Sequence, residues 1–307
     1  MITASLSTHT LHEGDRGRDV PFGGNSMQHG TAVFEGIRCY AGVDGPHVFR
    51  LDDHLRRLLR SAELIGIPEP PSLDALRGHV LAAVPPDSPD CYLRPVLYAP
   101  DPVLGVNLGA LRFRLGIEVW PAGPVTDQAG VALTVSPWRR PPPECFPAGA
   151  KATGAYVMSA VARTAAARAG FDDAVQLDLR TGRVVEATVS NIFLVTNGRL
   201  VTPWLRDGPL AGITRATVLT LAADLGIEAR EQAVDVRELH QADEIFLTGT
   251  AMELAPVRSI ENRPLDPARP VFRHLLARFR AAVTGTGPAP AGWRTPAHSE
   301  QTAAESP

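Results

Sequence analysis

The chain has 307 residues, 44% hydrophobic and 21% charged, the profile of an ordinary globular protein long enough for two domains. A formal net charge of −3 gives no general attraction to nucleic acid or to an anionic membrane. The three cysteines, Cys39, Cys91 and Cys145, are far apart and the nine histidines show no paired-ligand spacing, so neither a disulfide framework nor a metal site is expected.

In chain order, residues 1–25 are polar, rich in Gly, Asp and Arg, and expected to be loosely held; they lack the charged start and apolar stretch of a signal peptide. No apolar run reaches the ~20 residues of a membrane span, and a cytoplasmic location is expected. Short apolar stretches at 32–34 and 47–49, broken by Gly42, Gly45 and Pro46, read as strands and turns. Asp52 reads as the N-cap of a helix with Leu55, Leu58, Leu59, Ala62 and Ile65 on one face and Gly66 at its end. A second helix is expected over 73–84, then strands over 91–99 and 111–120. In the last of these Leu111, Phe113, Leu115, Ile117 and Val119 alternate with Arg112, Arg114, Gly116 and Glu118.

The Pro/Gly-rich stretch 121–130 is the expected interdomain linker. Beyond it, strands alternate with longer helices: a strand at 131–136, an Ala-rich helix at 153–169, and strands at 173–179 and 184–187 around Thr181-Gly182. Asn197-Gly198 marks a hairpin between 191–196 and 199–202. A helix at 213–225, strands at 227–234 and 243–248, and a helix at 270–283 follow, and the Pro/Ala/Ser/Glu tail 286–307 is expected to be disordered. The fold class is α/β, with a small domain over 1–120 and a larger one over 131–285.

Twenty-nine of the thirty basic residues are arginine; the remaining one is Lys151, in the small-residue run 148–154. A lysine amine can lose its proton and attack a carbonyl, whereas guanidinium stays charged, so one reading is a Schiff-base lysine. The other is a surface lysine. The remaining polar candidates are each weak: Arg57 on a helix flank, Tyr92 and Arg94 on a strand, Tyr156, Glu186 at a strand end, Gly212-Ile213-Thr214 where Thr214 could cap a helix, and Gly249-Thr250 in a turn.

Together and in order, these segments resemble the class IV, fold-type IV pyridoxal-phosphate enzymes, closest to the branched-chain amino acid aminotransferases. The stretches that carry the resemblance are 29–38 (HGTAVFEGIR), 92–95 (YLRP), Ala150-Lys151 with Gly154-Ala155-Tyr156, 186–193 (EATVSNIF), 212–215 (GITR) and 248–253 (TGTAME). They run from about residue 27 to Trp293, nearly the whole chain.

The resemblance implies a two-domain fold-type IV enzyme with pyridoxal 5′-phosphate as cofactor. It implies that Lys151 holds the cofactor covalently and, once freed, moves a proton between the substrate Cα and the cofactor C4′. A free lysine has a pKa of about 10.4, so the site must keep this amine neutral when it acts as a base. Glu186 would face the pyridine nitrogen and Tyr156 the ring hydroxyl. Arg57, the N–H groups of Ile213 and Thr214 at a helix start, and the Thr250 hydroxyl would meet the phosphate. Tyr92 with Thr250-Ala251 would take the substrate α-carboxylate, and Arg94 the distal carboxylate of glutamate or 2-oxoglutarate. Phe34 and Gly36 would line an apolar pocket, with Val106 reaching in from a second subunit. The implied partners are amino and 2-oxo acids and a second copy of the chain, in a homodimer or a higher homo-oligomer.

Departures from the family pattern are His29 in place of an aromatic residue, Ala155 in place of a polar one, a short 121–130 stretch without an aromatic, and no visible leading strand in 1–25. All bear on the substrate rather than the cofactor. The alternatives are therefore a lyase resembling aminodeoxychorismate lyase, a specialised aminotransferase with an unusual substrate, and a non-catalytic relative.

Overall fold

The computed structural model describes residues 22–86, 90–123, 125 and 129–298. The chain divides into two compact units, one drawn from Met1–Pro124, Ala150–Gly154 and Ala281–Pro307, the other from Val125–Gly149 and Ala155–Arg280. Each combines helices with one sheet, as two α/β domains require.

The first unit contains α1 (Asn25–His29), β1 (Val33–Phe34), β2 (Ile37–Gly42), β3 (Gly45–Phe49), α2 (Leu51–Ile65), α3 (Leu73–Ala82), β4 (Cys91–Tyr98) and β5 (Arg114–Pro121). β4 is the hub, antiparallel to β1 and β2 on one side and to β5 along its whole length on the other. Alternation along β4 buries Cys91, Leu93 and Leu97 on one face and places Tyr92 and Arg94 on the other. α2 buries Leu51, Leu55, Leu58 and Ala62 completely, each leucine contributing on the order of 2 kcal/mol.

Three expectations need correcting here. α2 begins one residue before Asp52, with Arg50 as N-cap in the left-handed region (φ 53°). The Asp52 carboxylate instead accepts from Arg77 of α3 at 2.7–3.0 Å, so it ties two helices together rather than capping one. The strand expected from 111 starts at Arg114, because Leu108–Ala110 form a 3-10 turn capped by the Asn107 side chain. The described part of the C-terminal segment is structured: Arg294–Pro296 pairs antiparallel with β3. Trp293 packs edge-on to Phe49 at 5.6 Å beneath the Arg50 guanidinium, an anchor that average composition hides. Residues 1–21, where a leading strand would fall, and 124 and 126–128 of the expected linker lie outside the described residues.

The second unit contains β6 (Val131–Val135), α4 (Tyr156–Arg168), β7 (Asp173–Leu177), β8 (Val184–Ala187), β9 (Asn191–Thr196), β10 (Arg199–Pro203), α5 (Ile213–Asp224), β11 (Ala229–Gln232), α6 (Val236–Gln241), β12 (Glu244–Gly249), β13 (Glu253–Ile260) and the body of α7 (Pro270–Thr284). The strand order is β11-β10-β9-β12-β13-β6-β7-β8, with parallel pairs at β10/β11, β13/β6 and β6/β7. The β9–β10 hairpin turns on Asn197 (φ 50°) and Gly198 (φ 74°), the two positive φ angles that its sequence predicts. One sheet face buries Leu133, Val175, Val184, Ile192 and Leu247. The other stacks Phe193 on Phe246 and meets Phe272 of α7. Glu244 accepts from the Val271 and Phe272 N–H groups and so caps α7 from a neighbouring strand.

Candidate active site

In the first unit the Lys151 backbone is fixed on both sides of its Cα. Ala152 bridges to Val33 of β1, and the Phe34 N–H donates to the Lys151 carbonyl at 3.1 Å. The Lys151 N–H donates to Ser61 Oγ of α2 at 3.0 Å. Two further bonds, Thr153 N–H to Ala32 O and Gly154 N–H to Gly30 O, continue the pairing. These bonds attach Ala150–Gly154 to the first unit, although sequence order sets them beyond the expected linker. Gly30 has φ 67°, and a Cβ there would crowd Gly154 Cα at 3.0 Å, so this close approach requires glycine. The Lys151 Nζ lies 4.9 Å from the centre of the Phe34 ring.

His54, Arg57 and Ser61 recur at helical spacing on one side of α2. Arg57 Nε and Nη2 donate to Glu35 Oε1 and Oε2 at 2.6 and 2.8 Å, a two-pronged pair, and His54 Nδ1 lies 2.8 Å from Oε2. Glu35 is completely buried. Burial alone would raise its pKa, but Arg57 and His54 outweigh burial and hold the carboxyl well below the usual range, so it is ionised. Burial also pushes His54 below the ordinary histidine range, against the pull of Glu35. His54 is therefore neutral near pH 7 and donates to Glu35 through Nδ1–H. Sequence reasoning assigns no role to Glu35, His54 or Ser61; polar residues three and four apart on an apolar helix face are the available signal.

Arg94 of β4 sits among three aromatic faces, with its guanidinium carbon 5.1 Å from the Phe34 ring centre, 5.4 Å from that of Tyr92 and 5.3 Å from that of Trp120. Its Nη2 donates to the Tyr92 hydroxyl at 3.2 Å, while its buried Nε has no partner among the described residues. A Cβ at Gly36 would fall on the Tyr92 hydroxyl, so glycine there lets the ring lie against the chain. Phe34, Gly36, Tyr92, Arg94 and Lys151 thus form one cluster. Val106 stands apart on a loop, 67% exposed beside Leu104 at 82%. The Asn25 amide pins that loop by donating to the Val103 and Gly105 carbonyls.

In the second unit Glu186 is the next-to-last residue of β8, and its carboxylate is held from both sides. Oε1 meets Arg140 Nη1 at 2.8 Å, and Oε2 accepts from Asn191 Nδ2 at 2.9 Å and from the Leu210 N–H at 3.2 Å. Asn191 is also the close neighbour of Gly212, whose missing Cβ would fall on Asn191 Oδ1. That contact brings the start of α5 up to Glu186. The N-cap of α5 is Gly212, not Thr214, which is buried in the first turn. Thr250 and Ala251 form the turn between β12 and β13, and Tyr156 opens α4. Next to that turn, the buried hydroxyls of Ser190 and Thr248 have no hydrogen-bond partner among the described residues. Nothing in the sequence around Arg140 marks it.

The donors of the second unit suit a phosphorylated pyridine: a rigidly held carboxylate, a helix that starts at a glycine N-cap, and buried hydroxyls beside a turn with no partner among the described residues. The first unit offers one anchored lysine amine.

Comparison with known proteins agrees. Residues 32–260 match the family model for amino-transferase class IV. The branched-chain-amino-acid aminotransferase of Salmonella typhimurium is 35% identical over 284 residues, which cover 90% of this chain and 91% of that protein. A crystal structure of the branched-chain aminotransferase from Thermoproteus uzoniensis with norvaline superposes with a TM-score of 0.88 at 37% identity, covering 94% of this chain and 99% of the other. The T.th. branched-chain amino acid aminotransferase complexed with N-(5′-phosphopyridoxyl)-L-glutamate gives a TM-score of 0.89 at 33% identity, covering 97% and 100%. The order of motifs, the two-unit fold and this likeness over nearly the whole length lead to one conclusion: the chain belongs to the class IV aminotransferase family.

Proposed function

We propose that the chain is a pyridoxal-phosphate-dependent transaminase that exchanges an amino group between a branched-chain or related apolar L-amino acid and 2-oxoglutarate, acting as a homodimer. The observation that carries this reading is the double anchorage of the Lys151 backbone to Ser61 and Phe34, which presents a single amine over an aromatic face. Bound pyridoxal phosphate supplies the electron-withdrawing ring. Glu186, kept in place by Arg140 and Asn191, holds a proton on the pyridine nitrogen, and Tyr156 orients the ring hydroxyl. Arg57, aligned by Glu35, and the amides of Ile213 and Thr214 with the Thr250 hydroxyl bind the phosphate. The Lys151 amine moves the proton between the substrate Cα and the cofactor C4′.

For the substrates, Tyr92 and the Thr250-Ala251 turn take the α-carboxylate. Phe34 and Gly36 favour an apolar side chain, and Arg94 in its aromatic surround favours the distal carboxylate of the acceptor. The exposed Leu104 and Val106 on a pinned loop support a second subunit at that site. Two relatives, the structures with norvaline and with a phosphopyridoxyl-glutamate, were solved with ligands of these two chemistries. The test is borohydride reduction of the protein with pyridoxal phosphate, followed by peptide mapping and an amino-donor screen with 2-oxoglutarate. The cofactor is expected on the Lys151 peptide and is lost in Lys151→Ala, and glutamate forms with leucine, isoleucine or valine. No label at Lys151 would refute the cofactor role, and pyruvate release from aminodeoxychorismate with silence across all donors would make the enzyme a lyase.

A further inference from the structure

Gln176 is the next-to-last residue of β7 and is completely buried, yet neither its amide oxygen nor its amide nitrogen has a hydrogen-bond partner among the described residues. Buried amides are almost always paired, so this one calls for a cause. Its register partner across the antiparallel β7/β8 pair is Glu186. Directly opposed residues put their side chains on the same sheet face with Cβ atoms about 5 Å apart. Gln176 therefore shares the face that carries the Glu186 carboxylate, while its strand neighbours Val175 and Leu177 fill the apolar core on the other face. Glu186 does not serve it, since the carboxylate oxygens are taken up by Arg140, Asn191 and the Leu210 amide. Leucine or methionine would meet the burial at this position without leaving a dry amide.

We propose that Gln176 is a further cofactor-binding residue, whose amide hydrogen-bonds the polar edge of the pyridine ring beside Glu186. The inference rests on the pyridoxal-phosphate reading above. A neutral amide suits the position. It can donate and accept at once, it does not titrate, and it does not repel the Glu186 carboxylate. An acid at this position would set two carboxylates side by side, and a cation would capture Glu186.

The test uses cofactor-free wild-type protein, Gln176→Met as the near-isosteric apolar variant, and Gln176→Leu as a second apolar shape. Each is melted without cofactor and titrated with pyridoxal phosphate, following the absorption band of the bound cofactor. The variants are expected to melt at or above the wild-type temperature, because an unpaired amide has gone, while the dissociation constant for pyridoxal phosphate rises about tenfold and the band shifts. Unchanged affinity in both variants overturns the assignment. So does weaker binding that tracks a lowered melting temperature in both, which would make Gln176 a packing residue. Wild-type protein that binds no pyridoxal phosphate would instead overturn the underlying reading.

Discussion

Replacing Glu35 by glutamine removes the negative centre of the buried cluster without changing its shape. In the wild-type protein both prongs of Arg57 and the His54 ring are directed at this carboxylate, and Arg57 has only 10% of its side chain exposed. Removing one partner of a buried ion pair leaves the other charge uncompensated, at a cost of about 3–5 kcal/mol. For a unit of this size each kcal/mol moves the melting temperature by roughly 2–4 °C, so Glu35→Gln is expected to melt about 10 °C lower. Glu35 has its pKa depressed in the folded state, so its contribution is complete above the unfolded glutamate value of about 4.3 and is lost only as pH falls below it. Glu35 itself therefore stays ionised between pH 5 and 8, and any pH dependence of the deficit in that range comes from His54, whose pKa Glu35 raises. Thermal melts of Glu35→Gln, Arg57→Met and the double variant, combined as a cycle, measure the coupling directly. A loss under about 3 °C, or a coupling below about 0.5 kcal/mol, would refute the view that Glu35 holds Arg57 in place.

Three other outcomes follow from the same geometry. His54 is buried neutral with a lowered pKa, so the unfolded chain binds its proton more readily and stability falls as pH drops below about 6.5; His54→Gln should flatten the difference in urea midpoint between pH 7 and pH 5, and an unchanged slope would remove His54 as its source. Arg94→Ala should lower kcat/KM about tenfold or more for 2-oxoglutarate relative to a monocarboxylic oxo acid, and equal losses would take Arg94 out of acceptor recognition. Leu104→Asp with Val106→Asp should shift the mass measured by sedimentation towards the monomer, whereas an unaltered mass would separate this loop from assembly.

Much of the architecture is local in origin and legible in the sequence. The Asn197-Gly198 hairpin, the α2 stripe of Leu55, Leu58 and Ala62 with Gly66 at its end, and the alternation through β5 all follow from spacing over a few residues. What escapes depends on partners distant in sequence. Asp52 could not be known to serve Arg77, nor Ser61 to receive the Lys151 N–H from 90 residues away. Arg140 gives no sign of itself because its meaning lies in the Glu186 oxygen it meets. The C-terminal strand is hidden for another reason: one tryptophan outweighs the polar average of its surroundings. On residues alone Arg57 reads as a solvated flank, and the resemblance supplies its anion. The structure adds the carboxylate that fixes its orientation.

The attachment of Ala150–Gly154 also ties the placement of Lys151 to distant parts of the chain. Its defining bonds close loops of 90 residues to Ser61, 121 to Ala32 and 123 to Gly30. No nascent chain shorter than about half the protein can make them, and each carries the entropy of a long closure that slows formation. The position of the lysine thus depends on long-range closure rather than on local structure. Partly folded chains, including truncated ones, hold a loose amine with the ordinary reactivity of any surface lysine.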